Sequence, residues 1–244
     1  MQENLEKIIA QINHFSPRPD LELITGDITD NGTLAQANNA ARILAKLTIP
    51  YFVVPGNHDN PETLWTAFGQ TNIPAKSAVF QNYTIEGHPL RLIGMDSSKR
   101  DGPGGRLCAE QLGWLKQRLG EQPQKPTLIF MHHPPVKCGV LETDEDGFEG
   151  AGELAEIIAA HTNIERIICG HIHLPTHTRW HNTIVSTSPG NGMQLALDLT
   201  MRKDSAFHLD APAFQLHHWT AQCNLVTHTI YHRDNPGPYP FEEQ

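Results

Sequence analysis

The sequence lacks a long apolar run, paired cysteines and an excess of basic residues. A membrane-spanning helix needs about 18 uninterrupted apolar residues, and no segment of this 244-residue sequence approaches that. The four cysteines are scattered without Cys-x-x-Cys spacing, which argues against a zinc knuckle or a disulfide framework. The amino terminus also lacks the basic start and apolar block of a secretory signal, so we expect a cytoplasmic protein.

The net negative charge of the chain argues against one class of partner, long nucleic acids. The chain has 18 Lys and Arg against 27 Asp and Glu, a formal net charge of -9. Proteins that bind along DNA or RNA do so largely by neutralising phosphates with basic side chains, so long nucleic acid is not an expected partner. A small anion is still compatible with this charge if a bound metal ion supplies the positive field. Histidine, by contrast, is abundant at 15 residues.

Apolar residues recur alternately at helical and at strand spacing along the chain. Predicted strands cover 21–25, 51–54, 78–85, 90–96, 127–131, 164–169 and 183–187, and predicted helices cover 5–15, 33–47, 61–68, 109–119 and 152–161. The segments 78–85 and 90–96 should form a hairpin. This order predicts an α/β fold with four α/β/β/α layers, in which two mixed sheets lie between helices.

The pattern of the chain changes near residue 190. We expect residues 1–190 to form the principal, catalytic domain and residues 191–244 to form peripheral strands and a tail, which ends in the Pro- and Gly-rich stretch 235–240. This last part could serve as a cap or as a dimerisation element. His217 and His218 fall on opposite faces of a predicted strand there, and we expect ordinary surface positions for both.

Four of the predicted strands are each followed by residues that can bind a metal ion. The four segments are Gly26-Asp27, Gly56-Asn57-His58-Asp59, His132-His133 and Gly170-His171-Ile172-His173. Any one segment is compatible with an ordinary turn or a helix N-cap. Since the carboxyl ends of strands in an α/β sheet share one edge, however, all four segments are expected to converge there.

The types of side chain indicate which ions would bind. A carboxylate, a carboxamide oxygen and several imidazoles favour Mn, Fe, Zn or Co over an all-oxygen Mg or Ca site. In a regular strand His171 and His173 would face opposite sides, but a turn after Gly170 would direct both toward one site. His133 has two open interpretations, because it could line a substrate pocket or pack beneath the strand.

In their order and spacing these segments resemble the calcineurin-like metallophosphoesterases, and among them the bacterial cyclic-nucleotide and glycerophosphodiester phosphodiesterases. The resemblance covers about residues 21–189 and is supported by Met95-Asp96-Ser97 and by residues 111–115. It implies a metal-dependent phosphodiesterase of the metallophosphoesterase fold, acting on a small soluble phosphodiester. In such an enzyme a metal-bound hydroxide attacks the phosphorus atom.

The resemblance also implies a role for each matching residue. Two ions, of Fe, Mn, Zn or Co, would be bridged by Asp27. Asn57, His132 and His171 would complete one ion position, and His173 would reach the other. A further pair would act beside the ions: His58 would stabilise charge on the phosphate or protonate the leaving oxygen, and Asp59 would orient the His58 ring.

One part of the family pattern is missing. The pattern opens with a strand that ends in Asp-x-His, which normally completes the second ion position, and this sequence contains no Asp-x-His. Either the sequence starts late or the protein holds only one ion firmly. We favour the late start, since the other ligands are all retained.

Other functions are compatible with the same residues. A phosphomonoesterase or a nuclease could use this scaffold, and so could a catalytically impaired metal-binding scaffold that binds a protein partner. A homodimer formed through the tail is a further hypothesis.

Overall fold

The computed structural model describes residues 1–75, 77, 80–200, 206–233, 239 and 241. The helices are α1 (Gln2–Asn13), α2 (Leu34–Leu44), α3 (Pro61–Asn72), α4 (Ala109–Glu121), α5 (Leu141–Asp146) and α6 (Ala151–Ala159). The strands are β1 (Glu22–Ile24), β2 (Tyr51–Val53), β3 (Tyr83–Ile85), β4 (Arg91–Gly94), β5 (Gly105–Arg106), β6 (Thr127–Phe130), β7 (Phe148–Glu149), β8 (Ile164–Cys169), β9 (Thr176–Trp180), β10 (Thr183–Thr187), β11 (Gln194–Leu195), β12 (Phe207–His208), β13 (Ala213–Trp219) and β14 (Leu225–Tyr231). The predicted alternation of helix and strand is confirmed.

A mixed six-stranded sheet forms the centre of the molecule, with strand order β3-β4-β6-β8-β10-β9. The four inner strands run parallel, and the edge strands β3 and β9 pair antiparallel to their neighbours. The hairpin of β3 and β4 was predicted, although residues 78 and 79 of its first predicted segment lie outside the described residues. Because the inner strands are parallel, the loops that follow them leave from one edge of the sheet.

Two apolar clusters cover the two faces of this sheet, as the side chains of β6 show. Leu128 and Phe130 belong to a core shared with α1, α2, α3 and the sheet of β1 and β2. Ile129 and Met131 belong to a second core shared with α4 and α6. Alternate side chains of one strand therefore bury against different layers, which gives the expected α/β/β/α order. The smaller sheet consists of two parallel strands.

Local signals in the sequence set the helix ends. The Thr33 hydroxyl accepts a hydrogen bond from the backbone N–H of Gln36 at the start of α2. Asn60 caps α3 in the same way, with Pro61 in the first turn. The regular part of α3 ends at Gly69, whose φ of 63° interrupts the helix, in agreement with the predicted end at residue 68.

The antiparallel pair β13–β14 packs against α1, where Phe214 joins a small core with Ile8 and Ile12. The division of the chain near residue 190 stays a prediction, and residues 234–238 and 240 of the Pro- and Gly-rich stretch lie outside the described residues. Strand β9 was not predicted, because its sequence Thr-His-Thr-Arg-Trp has no apolar run. In the described part of the chain, no helix has both the length and the apolarity to cross a membrane.

Candidate metal centre

The loops after β1, β2, β6 and β8 meet at the carboxyl edge of the sheets. A cavity of about 470 Å³ opens there and is bounded on its other sides by α1, α2 and β13. Its lining includes five of the seven predicted site residues: Asp27, His58, His132, His171 and His173. The predicted convergence of the four segments is therefore observed in the structure.

Asn57 occupies the centre of the ligand set. Its side-chain oxygen Oδ1 lies 3.1 Å from Nε2 of His132 and 3.0 Å from Nδ1 of His171. Asp27 completes the group, with its Oδ2 atom 3.3 Å from Nε2 of His132. Four of the five predicted metal ligands thus form one continuous set of contacts. The fifth, His173, lines the same cavity.

The hydrogen bond between Nδ1 of His132 and the Thr25 carbonyl favours a cation beside the other ring nitrogen, Nε2. Nδ1 of His132 lies 2.6 Å from the carbonyl oxygen of Thr25, which can only accept a hydrogen bond. Nδ1 therefore carries the proton, and Nε2 faces two oxygen acceptors, from Asn57 and Asp27. These three groups repel one another unless Nε2 is protonated or a cation lies among them. Such a backbone partner is also typical of metal-binding histidines.

An unusual backbone conformation directs several of these side chains. Asp27, His171 and His173 are non-glycine residues with positive φ, of 52°, 71° and 49°. Such conformations are costly and tend to cluster at functional sites. Strand β8 ends at Cys169, and the turn that follows lets His171 and His173 both reach the cavity. The turn proposed from the sequence is present.

Glycine allows the loops to approach each other closely. A Cβ atom at Gly56 would overlap the backbone N and Oδ1 of Asp27. A Cβ atom at Gly26, where φ is 93°, would lie 2.5 Å from Nδ1 of His132. Both positions therefore need glycine, because any side chain would displace an expected ligand.

The charges of the site leave Asp27, His171 and His173 in the forms that bind a cation, whereas His132 shares a proton-favouring contact with Asp27. Burial alone would raise the pKa of Asp27, but His132 and the N–H of His58 hold it below its usual range. For His132 burial acts to lower the pKa, and Asp27 raises it above the usual value. Burial and then the charge of His132 lower the pKa of His171 to about 3. The pKa of His173 is also lowered, chiefly by burial. Asp27 is therefore ionised and His171 and His173 are neutral near pH 7.

His58 lies next to this ligand set on the exposed side. Its backbone N–H donates to Oδ1 of Asp27 at 3.1 Å, and its ring Nδ1 donates to the carbonyl oxygen of Asp30 at 3.0 Å. The carbonyl of Asp30, which was not singled out in the sequence, thus fixes the orientation of the ring. Nε2 of His58 makes no hydrogen bond with another described residue, and the ring lines the cavity.

Asp59 makes contacts that differ from the expected one with the His58 ring. One carboxylate oxygen accepts from the N–H groups of Gly56 and Ile28, at 2.9 and 3.1 Å. The other accepts from the N–H and the hydroxyl of Thr29, both at 2.8 Å. Burial raises the pKa of Asp59, and these hydrogen bonds oppose the rise. The carboxylate joins the loops after β1 and β2, so it positions both Asp27 and Asn57.

His133 packs beneath the strand edge. One ring nitrogen of His133 lies within 4.8 Å of one from His132 and one from His171, which makes the three a geometric candidate for a metal cluster. However, Nε2 of His133 donates to the carbonyl oxygen of Pro103 at 3.0 Å, and Nδ1 then accepts from the Ser97 hydroxyl at 3.0 Å. Both ring nitrogens are engaged, and the ring is buried. Of the two interpretations left open by the sequence, the structure favours packing.

The fold is that of an α/β protein with layered sheets, and a set of side chains suited to metal binding lies at their carboxyl edge. The family described as calcineurin-like phosphoesterase matches residues 1–175. The chain belongs to the calcineurin-like phosphoesterase family. Members of this family use divalent metal ions.

Two relatives and one solved structure illustrate the similarity. The chain is 38% identical to a probable glycerophosphodiester phosphodiesterase, GpdQ, of Arcobacter nitrofigilis, over 97% of this chain and 87% of the relative. It is 37% identical to a probable cyclic nucleotide phosphodiesterase of Synechococcus sp., over 64% of this chain and 58% of the relative. A dimetal phosphatase from Danio rerio has a similar fold, with a TM-score of 0.65 at 15% identity, covering 95% of this chain and 89% of that one.

Proposed function

We propose that this protein is a metal-dependent phosphodiesterase that hydrolyses a small soluble phosphodiester, either a cyclic nucleotide or a glycerophosphodiester. The observation that carries the proposal is the contact set of Asp27, Asn57, His132 and His171 at the mouth of a cavity, with His58 beside it. Relatives named for both substrate classes support it.

We further propose that the site holds two ions, of Fe, Mn, Zn or Co. Asn57, His132 and His171 would hold the first, His173 the second, and Asp27 would bridge the two. The nitrogen and oxygen donors suit these borderline ions. When bound, the ions would supply positive charge for the phosphoryl oxygens and lower the pKa of a water molecule.

The residues of the chain would provide the remaining chemistry. The Asp30 carbonyl holds the proton of His58 on Nδ1, so Nε2 is the ring atom available to the substrate. In its doubly protonated form the ring can donate from Nε2 to a phosphoryl oxygen or to the leaving oxygen. Asp59 would act as a positioning residue, since its carboxylate binds the backbone of the two loops that carry Asp27 and Asn57.

Replacement of His58 tests this assignment of roles. We expect His58→Ala to lower the turnover of a bis-aryl phosphodiester by about a hundredfold or more, the usual contribution of a general acid. Its metal content should persist, because the ring is not an expected permanent ligand. His228→Ala, at an exposed position on β14, is the control and should keep full turnover. Unchanged turnover in His58→Ala would refute the proposed role.

A further inference from the structure

A second group of polar residues lies away from the metal centre, on the sheet face that belongs to the first core. Ser186 of β10 is directly opposite Ile168 of β8 and His177 of β9 in the strand register. Arg166 precedes Ile168 by two residues, so its side chain leaves the same face. Ile168 packs in the first core, which identifies this face as the one turned toward α2 and α3.

The pair β13–β14 covers this face and brings His217 to it. Gln215, His217 and Trp219 alternate along β13 and share one side of the strand. Nε2 of Gln215 donates to the carbonyl oxygen of Thr187 at 3.0 Å, and Trp219 packs against the first core. His217 lies between these two contacts, so it also faces the sheet. The expectation of an ordinary surface position for His217 is wrong, because the ring is half-buried where β13 packs on the sheet near Arg166.

Two buried polar atoms of this group lack partners, whereas Nδ1 of His217 lies 2.9 Å from the Thr227 hydroxyl. Arg166 is only 8% exposed and Ser186 is fully buried, yet Nε of Arg166 and Oγ of Ser186 make no hydrogen bond. Among the described residues, no carboxylate forms an ion pair with Arg166. A buried guanidinium without a counter-ion and a buried hydroxyl without a partner are both costly. An anion that contacts both would remove this cost.

The groups that act electrostatically on the two histidines are basic. Burial, followed by the positive charges of Arg166 and His177, lowers the pKa of His217 to about 4. Burial and Arg166 also lower the pKa of His177. Arg179 follows His177 by two residues on β9, so it adds another basic side chain on the same side of that strand. Both imidazoles are therefore neutral near pH 7, and the positive charge here comes from Arg166 and Arg179, in a chain of net charge -9.

We propose that Arg166, Ser186, His177 and His217 form a binding site for a phosphate-bearing anion, separate from the metal centre. The guanidinium would bind two anion oxygens in its planar fork, the Ser186 hydroxyl would donate to another, and the imidazoles would add donors from β9 and β13. Arg166 lies three residues, or about 10 Å of extended strand, before Cys169 at the carboxyl end of β8. The site is thus distinct from the cavity that holds the expected metal ligands. Inorganic phosphate and a phosphate monoester share the chemistry that it recognises.

The direct test follows the histidine rings by NMR while inorganic phosphate is added to the full chain. We expect the ring signals of His217 and His177 to shift in a saturable way, with a dissociation constant of about 1 mM. A bound anion should also raise the pKa of His217, because it offsets the charge of Arg166. A parallel titration with glycerol phosphate determines whether the site accepts the free anion, the monoester or both.

Substitutions test which residues are needed for phosphate binding. Arg166→Met should weaken phosphate binding at His217 by about tenfold or more, since it removes a charged bidentate donor. Arg42→Met removes the same charge from α2 and should leave the titration unchanged. His177→Gln changes an exposed residue that should not affect folding, and it should weaken binding by a few fold. No shift at His217 and His177 up to about 10 mM phosphate, or shifts confined to His58 and His171, would overturn the proposal.

Discussion

The two sides of the metal centre differ in how firmly the chain holds their side chains. On one side Asn57 contacts both His132 and His171, and Thr25 holds the far nitrogen of His132. On the other side the ring of His173 makes no hydrogen bond with another described residue, and His58 is exposed. We call the first the organised side, because its residues hold one another in place, and the second the open side, because His173 and His58 have fewer such contacts. The expected two ion positions should therefore differ in affinity.

The largest effect should come from the organised side. We expect His132→Ala to remove the first ion and to lower diester turnover by about a thousandfold or more, because ion binding supplies several kcal/mol of transition-state stabilisation. Metal analysis and turnover of the same preparation measure this. If His132→Ala kept its full metal content, the assignment of the first position would be wrong.

A smaller effect is expected on the open side. His173→Ala should lower turnover by about a hundredfold and leave the more tightly held ion in place, since His173 is expected to reach only the second position. Titration of the metal-free variant with Mn measures how many ions it binds and how tightly. Equal losses of metal in His132→Ala and His173→Ala would remove the proposed difference between the two sides.

The close backbone packing on the organised side can be tested by measuring stability, without an activity assay. Gly56→Ala should destabilise the protein by about 1–3 kcal/mol, because the new Cβ atom would overlap Asp27. Gly113→Ala is the matched control. Its Cβ atom would meet nothing within 4 Å in α4, so it should stabilise by about 0.5–1 kcal/mol. Urea unfolding measures both, and the same sign for the two variants would contradict the packing argument.

The smallest effect concerns Glu22, which lines the cavity beside α1. Burial raises its pKa to about 7 from 4.5, so its contribution to stability is complete below about pH 4.5 and is lost as the pH rises through 7. Glu22→Gln stays neutral at every pH. It should match the parent near pH 4.5 and be about 1–2 kcal/mol more stable at pH 8. Urea unfolding at the two pH values measures the difference in the free energy of unfolding between variant and parent. A difference that did not depend on pH would exclude the ionisation of Glu22 as its cause.

Much of the fold and the convergence of the four polar segments could be predicted, because both depend on local sequence patterns. The apolar segments of β6 and β8 are continuous, and each ends at the polar residues that reach the cavity. Strand β9 could not be predicted in this way, since an edge strand with an exposed face needs no apolar run. It pairs with the apolar β10 in a tight hairpin, in which Trp180 lies opposite Thr183.

The hydrogen bonds around the expected ligands were harder to predict from the sequence than the place of those ligands in the fold. Asp59 was expected to act on His58, its neighbour in sequence, but its oxygens bind backbone groups of Ile28 and Thr29, about thirty residues away. Which backbone group a buried carboxylate meets is set by how two loops pack. The same applies to His217, whose place opposite Arg166 is fixed by the packing of β13 on the sheet.

We expect this site to hydrolyse a phosphodiester in a metal-dependent reaction. The most direct measurement removes metal from the chain with a chelator and adds back Mn while the hydrolysis of a bis-aryl phosphodiester and of an aryl phosphomonoester is followed. We expect turnover to depend on Mn and the diester to be preferred. Turnover that is independent of added metal, or a preference for the monoester, would contradict this expectation.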